Sequence, residues 1–276
     1  MRIATWNING IKARLDNLLL WLQQTQPDIA CLQEIKATDD SFPRECIEDL
    51  GYYVETHGQK SFNGVALLSK IRPDDISRGL PQEEGAAEDL QARFIEGVYS
   101  LKGRAIRVAS LYLPNGNPVW DDSVAGIAAN MAYIGKKYAY KLDWIERLYR
   151  FARQRLALEE DFILAGDYNV IPAPQDAARP EQWRQDALFL PATHKGFRKL
   201  LNLGFTDALR AVSNGEAYTF WDYQAGAWLK NNGIRIDHML LSPEAADRLR
   251  CAFVQKEMRG WEKASDHVPV WIEIAE

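Results

Sequence analysis

Acidic residues at the ends of short apolar runs constrain this chain more than any other feature of its sequence. The runs have strand length and are rich in β-branched or aromatic residues; they cover residues 2–8, 29–33, 65–69, 93–101, 105–113, 162–166, 234–241 and 268–274. Glu34 and Asp167 directly follow two of them, Asp237 lies inside a third, and Asp266 with His267 opens a fourth. A carboxylate at the rim of a buried strand is costly unless it is paired, hydrogen-bonded or bound to a metal. One such acid alone would indicate a strand cap or an ion pair, whereas four together favour a functional site.

Helical spacing appears between the strand-like runs, so the chain is of mixed α/β character throughout. The helical segments cover residues 15–24, 43–50, 138–158, 195–203 and 243–249. Three consecutive runs have only loops between them, and Lys102-Gly103 is a two-residue hairpin signal, which predicts antiparallel ribbons within a mixed sheet. No linker or repeat divides residues 1–276, so a single domain is expected. The Pro-rich stretch 172–191 is predicted to be a long loop beside a cleft.

Composition narrows the class of protein. Hydrophobic residues make up 47% and charged residues 26% of the 276 residues, as in a globular domain. The first residues are already strand-like and no apolar run reaches the roughly 20 residues of a membrane span, so a cytoplasmic protein without membrane contact is expected. Cys31, Cys46 and Cys251 are too far apart for a disulfide framework or a zinc site. The net charge of −5 argues mildly against general nucleic-acid binding but allows a local basic surface.

Oxygen atoms dominate the candidate ligands, which favours a hard cation. Asn7 ends the first run and Asn169 follows Asp167 by two residues, so amide oxygens join the carboxylates. Such ligands suit Mg²⁺, with Mn²⁺ as its substitute, whereas the four histidines lack the close pairing of a zinc site. Magnesium usually takes one or two carboxylates, so some of the acids remain free for proton transfer.

His267 needs a partner on another element, because neighbouring side chains on a strand point to opposite faces and Asp266 precedes it. Asp237 is the predicted partner. A carboxylate beside an imidazole raises the imidazole pKa and fixes its tautomer, giving a general base or a cation beside a phosphate. The alternative is a structural histidine. The motifs of phosphate-binding loops, dinucleotide folds, serine hydrolases and zinc proteases are absent from the sequence.

Eight short motifs follow one another from end to end of the chain. They are TWNING (5–10), LQEIK (32–36), NGVA (63–66), LYLPNG (111–116), GDYNV (166–170), YTFWDY (218–223), GIRID (233–237) and SDHVPV (265–270). Together, and in this order, they resemble the exonuclease III branch of the endonuclease/exonuclease/phosphatase superfamily, the bacterial DNA-repair AP endonucleases. The resemblance implies an α/β (α+β) fold, a four-layer α/β/β/α sandwich of two mixed β-sheets flanked by helices, with the site at one rim.

The resemblance also implies roles for the acidic residues. By position, Glu34 is similar to the main metal ligand, with Asn7 and Asp266 near it. Asp167, oriented by Asn169, is similar to the group that activates the attacking water.

The remaining roles concern the phosphate. Asp237 is similar to the partner of a phosphate-contacting His267, and Tyr112 to a phosphate-contacting phenol with Asn115 close by. Either Tyr112 or a water of the metal would assist the leaving oxygen.

Substrate contacts are implied for a further set. Phe220 and Trp221, with Ile234 and Ile236, match the region where this family forms an apolar pocket for an extrahelical abasic deoxyribose; an aromatic core corner is the alternative. Candidate contacts to the DNA backbone, each of which could equally be solvated surface, are Lys36, Arg198, Lys199, Lys230 and Arg235.

The implied activity is that of a metal-dependent DNA phosphodiesterase of base excision repair. It would hydrolyse the backbone 5′ to abasic sites, remove nucleotides and blocking groups from 3′ ends, or do both, as an AP endonuclease and 3′-5′ exodeoxyribonuclease. Its partner would be double-stranded DNA with abasic sites or 3′ ends, and a monomer is expected.

Two alternatives stay open at this point. One is a superfamily phosphodiesterase or phosphatase acting on RNA, inositol phosphates or lipids, and the other is a DNA-binding protein without catalysis. Residues 218–223 and 233–237 favour DNA. Two stretches depart from the family pattern: 119–133 looks longer and more apolar than usual, and 172–191 has no close match. Both could border the DNA cleft, which leaves the balance of the activities undecided.

Overall fold

Two mixed β-sheets, packed face to face, form the centre of the computed structural model, which describes residues 1–82, 85, 88–101, 103–120 and 134–275. The strands of this described part are, in chain order, β1 (Arg2–Asn7), β2 (Ile29–Gln33), β3 (Tyr53–His57), β4 (Val65–Ser69), β5 (Asp75–Arg78), β6 (Phe94–Leu101), β7 (Arg104–Tyr112), β8 (Asp161–Asp167), β9 (Thr206–Asp207), β10 (Asp237–Leu241), β11 (Leu249–Val254) and β12 (Val270–Ile274). One sheet has the order β11-β12-β1-β2-β4-β3 and the other β5-β6-β7-β8-β10-β9. Each contains a parallel pair, β1–β2 or β7–β8, among antiparallel neighbours.

Helices cover the outer faces of both sheets. They are α1 (Leu15–Thr25), α2 (Arg44–Glu48), α3 (Lys136–Leu156), α4 (Pro191–Asn202), α5 (Ala208–Val212) and α6 (Pro243–Ala246). Trp21 of α1 packs edge-on against Trp6 of β1, with ring centroids 5.4 Å apart, and Phe151 of α3 packs against Phe162 of β8. The predicted four-layer α/β/β/α sandwich is therefore confirmed. None of the helices in the described part has the length and apolar character needed to span a bilayer.

The core between the sheets follows from strand alternation. Ile3 and Leu67 of the first sheet lie in one buried cluster with Val108, Ile163 and Met239 of the second. Their chain neighbours point to the other face of each sheet, where they meet the helices. Burial of each large aliphatic side chain contributes roughly 1.5–3 kcal/mol, so a slip of one residue in register would cost many such contributions at once.

Several strands at or near the sheet edges were not predicted. β3, β5 and β11 each have only one neighbour in their sheet and are partly exposed, and the two-residue β9 ends the second sheet. An edge strand needs fewer apolar residues, which weakens its sequence signal. The predicted helix 243–249 is also shorter than expected, because α6 ends at Ala246 and β11 begins at Leu249.

The predicted loops are partly described. Leu101 pairs with Arg104, so the hairpin between β6 and β7 has the expected two-residue loop, although Lys102 itself lies outside the described residues. Of the stretch 119–133, residues 121–133 also lie outside them. The stretch 172–191 contains two 3-10 turns, Pro174–Asp176 and Pro180–Trp183, and buries Leu188 against the Ile234 region.

One rim of the sandwich collects the ends of the central strands. Tyr112 at the end of β7 and Asp237 at the start of β10 both pair with Asp167 at the end of β8. In the other sheet, Asn7 pairs with Gln33, directly before Glu34. Parallel strands end at the same edge, so the two parallel pairs bring these polar side chains together.

Candidate active site

Asp167 lies at the centre of this rim, and both of its carboxylate oxygens accept hydrogen bonds. Its Oδ1 accepts a hydrogen bond from the main-chain N–H of Asn169 at 2.8 Å, and its Oδ2 accepts one from Nδ2 of Asn7 at 3.0 Å. Gly166 permits this close packing, because a Cβ there would lie 1.9 Å from the carbonyl oxygen of Leu111. Burial raises the pKa of Asp167 well above its usual range, and nearby carboxylates add to that effect while an imidazole opposes it. A carboxylate with a raised pKa is a stronger base toward water.

His267 joins Asp167 to a second buried carboxylate. Its Nδ1 lies 2.9 Å from Oδ2 and 3.1 Å from Oδ1 of Asp237, and its Nε2 lies 3.7 Å from Oδ2 of Asp167. The structure thus brings together the pair that the sequence predicted. Burial by itself lowers the pKa of His267, but the charges of Asp237 and then Asp167 outweigh it and raise the pKa to about 10. The imidazole is therefore a cation at neutral pH.

Glu34 lies on the other side of Asn7, where it faces a cation. Its Oε2 is 2.7 Å from Nζ of Lys36, and its Oε1 accepts a hydrogen bond from Nδ2 of Asn7 at 3.0 Å. The amide of Asn7 therefore bridges the carboxylates of Glu34 and Asp167. Burial by itself raises the pKa of Glu34, but Lys36 and the Asn7 hydrogen bond bring it below its usual range. Glu34 and Lys36 both have a left-handed backbone, with φ of 50° and 51°. Such strain in residues with side chains is often found at functional sites.

Asp266 is connected to this group through Asn9, a residue that the sequence reasoning did not single out. Nδ2 of Asn9 donates to Oδ1 of Asp266 at 3.0 Å, and Nζ of Lys36 donates to Oδ1 of Asn9 at 2.5 Å. The signal was available in the TWNING motif, because an asparagine before a glycine is typical of a left-handed turn, and Asn9 has φ of 48°.

The two carboxylates of this rim lie close enough together to hold a metal ion, whereas the protonated imidazole beside them has no free lone pair for a metal. Atoms of Glu34, Asp167 and His267 all lie within 4.8 Å of one another. The set contains two carboxylates, which suits a hard cation, and Glu34 already compensates its charge with the ammonium of Lys36. Acidic residues of the site could therefore bind a metal. Of the other two expected ligands, Asn7 contacts both carboxylates through its amide nitrogen. Asp266 is linked to Asn7 through Asn9, two hydrogen bonds away.

Two loops, which follow β7 and β8, meet at Asn169. Nδ2 of Asn115 donates to Oδ1 of Asn169 at 3.1 Å, and Nδ2 of Asn169 donates to the carbonyl oxygen of Leu113 at 2.9 Å. Asn169 is buried with a left-handed φ of 47°, whereas Asn115 is exposed. Asn169 is thus tied to both Asp167 and the Asn115 loop, as its predicted orienting role requires.

Tyr112 carries the phenol nearest to Glu34. Burial raises its pKa well above 10, and the charges of Glu34 and Asp167 and a hydrogen bond with Glu34 act in the same direction. The guanidinium of Arg93 lies 4.8 Å from the Tyr112 ring centroid, a cation–π contact. The phenol therefore keeps its proton and is able to donate a hydrogen bond.

The expected apolar pocket is only partly accessible. The ring of Phe220 is half-buried and lies 4.9 Å from the ring of His267, so it borders the site. Ile234 is 2% exposed beneath it. Trp221 is 0% exposed, packs edge-on against Trp228, and donates its Nε1–H to Asn231. Trp221 is thus the aromatic core corner that was the alternative, and the prediction that it contacts substrate is corrected.

The prediction for Arg235 is also corrected. It was expected at the DNA backbone, yet its side chain is 1% exposed and forms ion pairs with Asp176 at 2.6 Å and Asp207 at 2.7 Å. It also contacts Nδ1 of His238 at 3.0 Å. A guanidinium enclosed by two carboxylates is not available to a phosphate, so its role is to hold the 172–191 loop onto β10. The sequence does not predict these ion pairs, because Asp176 and Asp207 lie in segments distant from Arg235.

Two of the other candidate cations lie on the surface and already have a partner within the protein. Lys199 pairs with Glu146 at 2.7 Å, and Nζ of Lys230 donates to the carbonyl oxygen of Ala225. Only Lys36, among the expected backbone contacts, lies directly at the carboxylate group.

Comparisons with known proteins agree with this arrangement. The sequence profile of the Endonuclease/Exonuclease/phosphatase family matches residues 4–267. Exodeoxyribonuclease III of Haemophilus influenzae is 32% identical over 285 residues, which cover 99% of this chain and 99% of that protein. An AP endonuclease from Archaeoglobus fulgidus has a similar structure, with a TM-score of 0.88 and 33% identity over 100% of both chains. The 3′ phosphatase NExo from Neisseria, solved with a product DNA hairpin, gives a TM-score of 0.89 and 34% identity over 100% of both chains.

Proposed function

We propose, because this chain belongs to the endonuclease/exonuclease/phosphatase family, that it is a metal-dependent hydrolase of DNA phosphodiester bonds that acts in DNA repair. The observation that carries the proposal is the convergence of Glu34, Asp167 and His267 at one rim, with Asp237 behind the imidazole. This group combines a base, a cation and a candidate metal ligand, which are the parts that in-line hydrolysis of a phosphodiester requires.

We assign the attacking side of the reaction to Asp167. Its raised pKa makes it able to take a proton from a water molecule, and the N–H of Asn169 holds one of its oxygens in place. His267, a cation through Asp237, would neutralise charge on a non-bridging phosphate oxygen.

The leaving side is assigned to Tyr112. Its phenol stays protonated, so it could donate to the departing oxygen. Asn115, exposed beside Asn169, would contact the phosphate from the same side.

The metal is proposed to be Mg²⁺, with Mn²⁺ able to replace it. Glu34 would hold it, assisted by Asp266 and by Asn7, whose amide oxygen would have to turn toward the ion. The ammonium of Lys36 would have to move away from Glu34 toward the DNA backbone. When bound, such an ion supplies positive charge that polarises the phosphate.

The substrate is proposed to be double-stranded DNA with an abasic site or a 3′ end. The names of the similar proteins support it, since they include an exodeoxyribonuclease, an AP endonuclease and a 3′ phosphatase. Phe220 beside His267 offers a small apolar surface for a sugar without its base. We further propose that residues 1–276 act as one domain. The expected monomer and cytoplasmic location stay predictions.

A gel assay tests this proposal directly. Duplexes with one abasic analogue, a 3′ phosphate or a recessed 3′ end are incubated with Mg²⁺, Mn²⁺ or chelator, beside inositol phosphate, lipid and RNA substrates. We expect DNA cleavage that chelator abolishes and that Asp167→Asn and His267→Ala remove. Phe253→Ala, an exposed residue on β11, serves as a control and should keep full activity. Hydrolysis of lipid, inositol phosphate or RNA without DNA cleavage would show that the substrate is a different one.

A further inference from the structure

Lys141 is a fully buried lysine on α3 that none of the roles above uses. Its side chain is 0% exposed, and its Nζ donates hydrogen bonds to the carbonyl oxygens of Asn115 at 3.0 Å and Asn169 at 2.6 Å. Within the described residues no carboxylate forms an ion pair with this ammonium. Burying a cation without a carboxylate in direct contact is costly, so other interactions must compensate the ammonium of Lys141.

The two carbonyl groups provide that compensation. In the described part of the chain, no main-chain N–H donates to either oxygen. Asn115 belongs to the loop after β7, and Asn169 belongs to the loop after β8. Asn169 is buried, and a buried carbonyl without a donor is destabilising, so Lys141 supplies a donor that the main chain of neither loop provides.

The side chain of Lys141 packs tightly against the loop after β7. A Cβ at Gly116 would lie 2.7 Å from Cδ of Lys141, so the loop can approach the aliphatic stem this closely only with glycine at that position. Gly116 also has φ of 90°, which favours glycine. The ammonium is therefore held between two loops whose positions depend on it.

We propose that Lys141 is a positioning residue for the reaction: it ties the Asn115 loop to the Asn169 loop from behind and so sets the place of Asp167. The connection is short, because the carbonyl of Asn169 receives the lysine bond while the N–H of the same residue holds Oδ1 of Asp167. Asn115 also donates to Oδ1 of Asn169, so the two residues that Lys141 contacts are hydrogen-bonded to each other.

The positioning role of Lys141 does not depend on whether its amine is protonated. Burial lowers the pKa of Lys141 to about 7, with Asp186 and Asp167 acting in the opposite direction. A neutral amine still carries two hydrogens, which suffice for the two carbonyl bonds. The tie therefore persists across neutral pH.

The test replaces Lys141 with methionine, which keeps most of the volume and removes the donors. It rests on the proposed DNA hydrolysis, so kcat and KM are measured on the abasic duplex well below the melting temperature. We expect kcat to fall about 100-fold, because a displacement of about 1 Å in the reacting groups costs that much, with KM changed less than threefold. Ile145→Ala is the matched control: it lies one turn further along α3, faces Gly196 of α4 and has no side-chain donor for the carbonyl groups of Asn115 and Asn169. It should lower the melting temperature and leave kcat near that of the wild type.

Hydrogen exchange gives a second readout that does not require activity. In Lys141→Met the amides of Leu113, of residues 115–117 and of residues 168–170 should exchange at least tenfold faster, while those of α1 stay unchanged. If Lys141→Met fails to fold, Lys141→Gln, which keeps a shorter donor, is measured in the same way. Wild-type kcat in the folded lysine variant, an equal loss in Ile145→Ala, or unchanged exchange in both loops would overturn the proposal. A wild-type protein that does not cleave DNA would refute the proposed function, whereas the exchange comparison would still decide whether Lys141 ties the loops.

Discussion

Replacing Asp237 with asparagine removes the charge that keeps His267 protonated. Asp237 is 0% exposed and contacts Nδ1 of His267 through both oxygens, at 2.9 Å and 3.1 Å. Two unit charges about 4 Å apart interact by roughly 4 kcal/mol at an effective dielectric constant of about 20. At about 1.4 kcal/mol for each pKa unit, this loss lowers the pKa of His267 by about three units. The pKa should therefore move from about 10 to roughly 7.

The change has a defined effect on activity. At pH 8 a group with a pKa near 7 is protonated in roughly one tenth of the molecules, whereas wild-type His267 is almost fully protonated. We therefore expect the ratio of kcat/KM for Asp237→Asn to that of the wild type to rise about tenfold between pH 8 and pH 6.

The stability of the fold also depends on the protonation of His267. The folded pKa of His267 lies above the ordinary value of 6.5, so its protonation stabilises the wild-type fold fully below pH 6.5 and this contribution is lost as the pH rises toward 10. The variant should thus be less stable than the wild type mainly at acid and neutral pH. Urea unfolding at pH 6 and pH 10 measures this difference.

Proton NMR of the metal-free protein measures the pKa itself. The chain has four histidines, which makes assignment by single substitution simple, and His194 on α4 provides an internal control. Asp266→Asn is the matched variant. Asp266 precedes His267 but contacts Asn9, so it should lower the pKa of His267 by less than one unit. A His267 pKa in Asp237→Asn within half a unit of the wild type would refute the reasoning.

Three further outcomes separate metal binding, structure and substrate contact. Glu34→Gln should raise the Mg²⁺ concentration needed for half-maximal cleavage by about tenfold or more, measured by titrating MgCl₂ in the gel assay, because one anionic oxygen ligand is lost. Arg235→Met should lower the free energy of unfolding by about 3–5 kcal/mol, because the carboxylate of Asp207 loses its partner and the buried carboxylate of Asp176 keeps only Arg210. The salt dependence of DNA binding should stay unchanged, and a shallower dependence in the variant would show that Arg235 contacts the DNA backbone. Phe220→Ala should reduce kcat/KM on the abasic duplex about tenfold with little loss of stability, whereas Trp221→Phe should cost about 1–3 kcal/mol of stability with unchanged kcat; equal effects on both properties in the two variants would contradict the division between rim and core.

Much of the rim could be predicted from the sequence because strand ends are local features. Glu34 and Asp167 each end an apolar run, and parallel pairing of those runs with β1 and β7 brings such ends to one edge. The contact between His267 and Asp237 was also predictable, because strand alternation turned His267 away from its neighbour Asp266.

Other residues could not be assigned from the sequence, because their environment depends on distant segments. Arg235 and Trp221 stand next to recognisable positions, yet both side chains are buried by contacts across the fold. Lys141 lies in an ordinary amphipathic helix, where a lysine is normally exposed. Only the approach of the two loops shows that it is enclosed.

The sequence by itself determined the mixed α/β class and the acids and histidine of the rim, and the resemblance of its motifs to a known family implied the four layers. Local periodicity and the cost of isolated carboxylates are readable without coordinates. The tertiary structure alone decided which cations face the rim, which aromatic residue is accessible, and what holds the loops of Asn115 and Asn169 together. Those properties depend on the burial of one segment by another, and burial is not encoded in the spacing of any single segment.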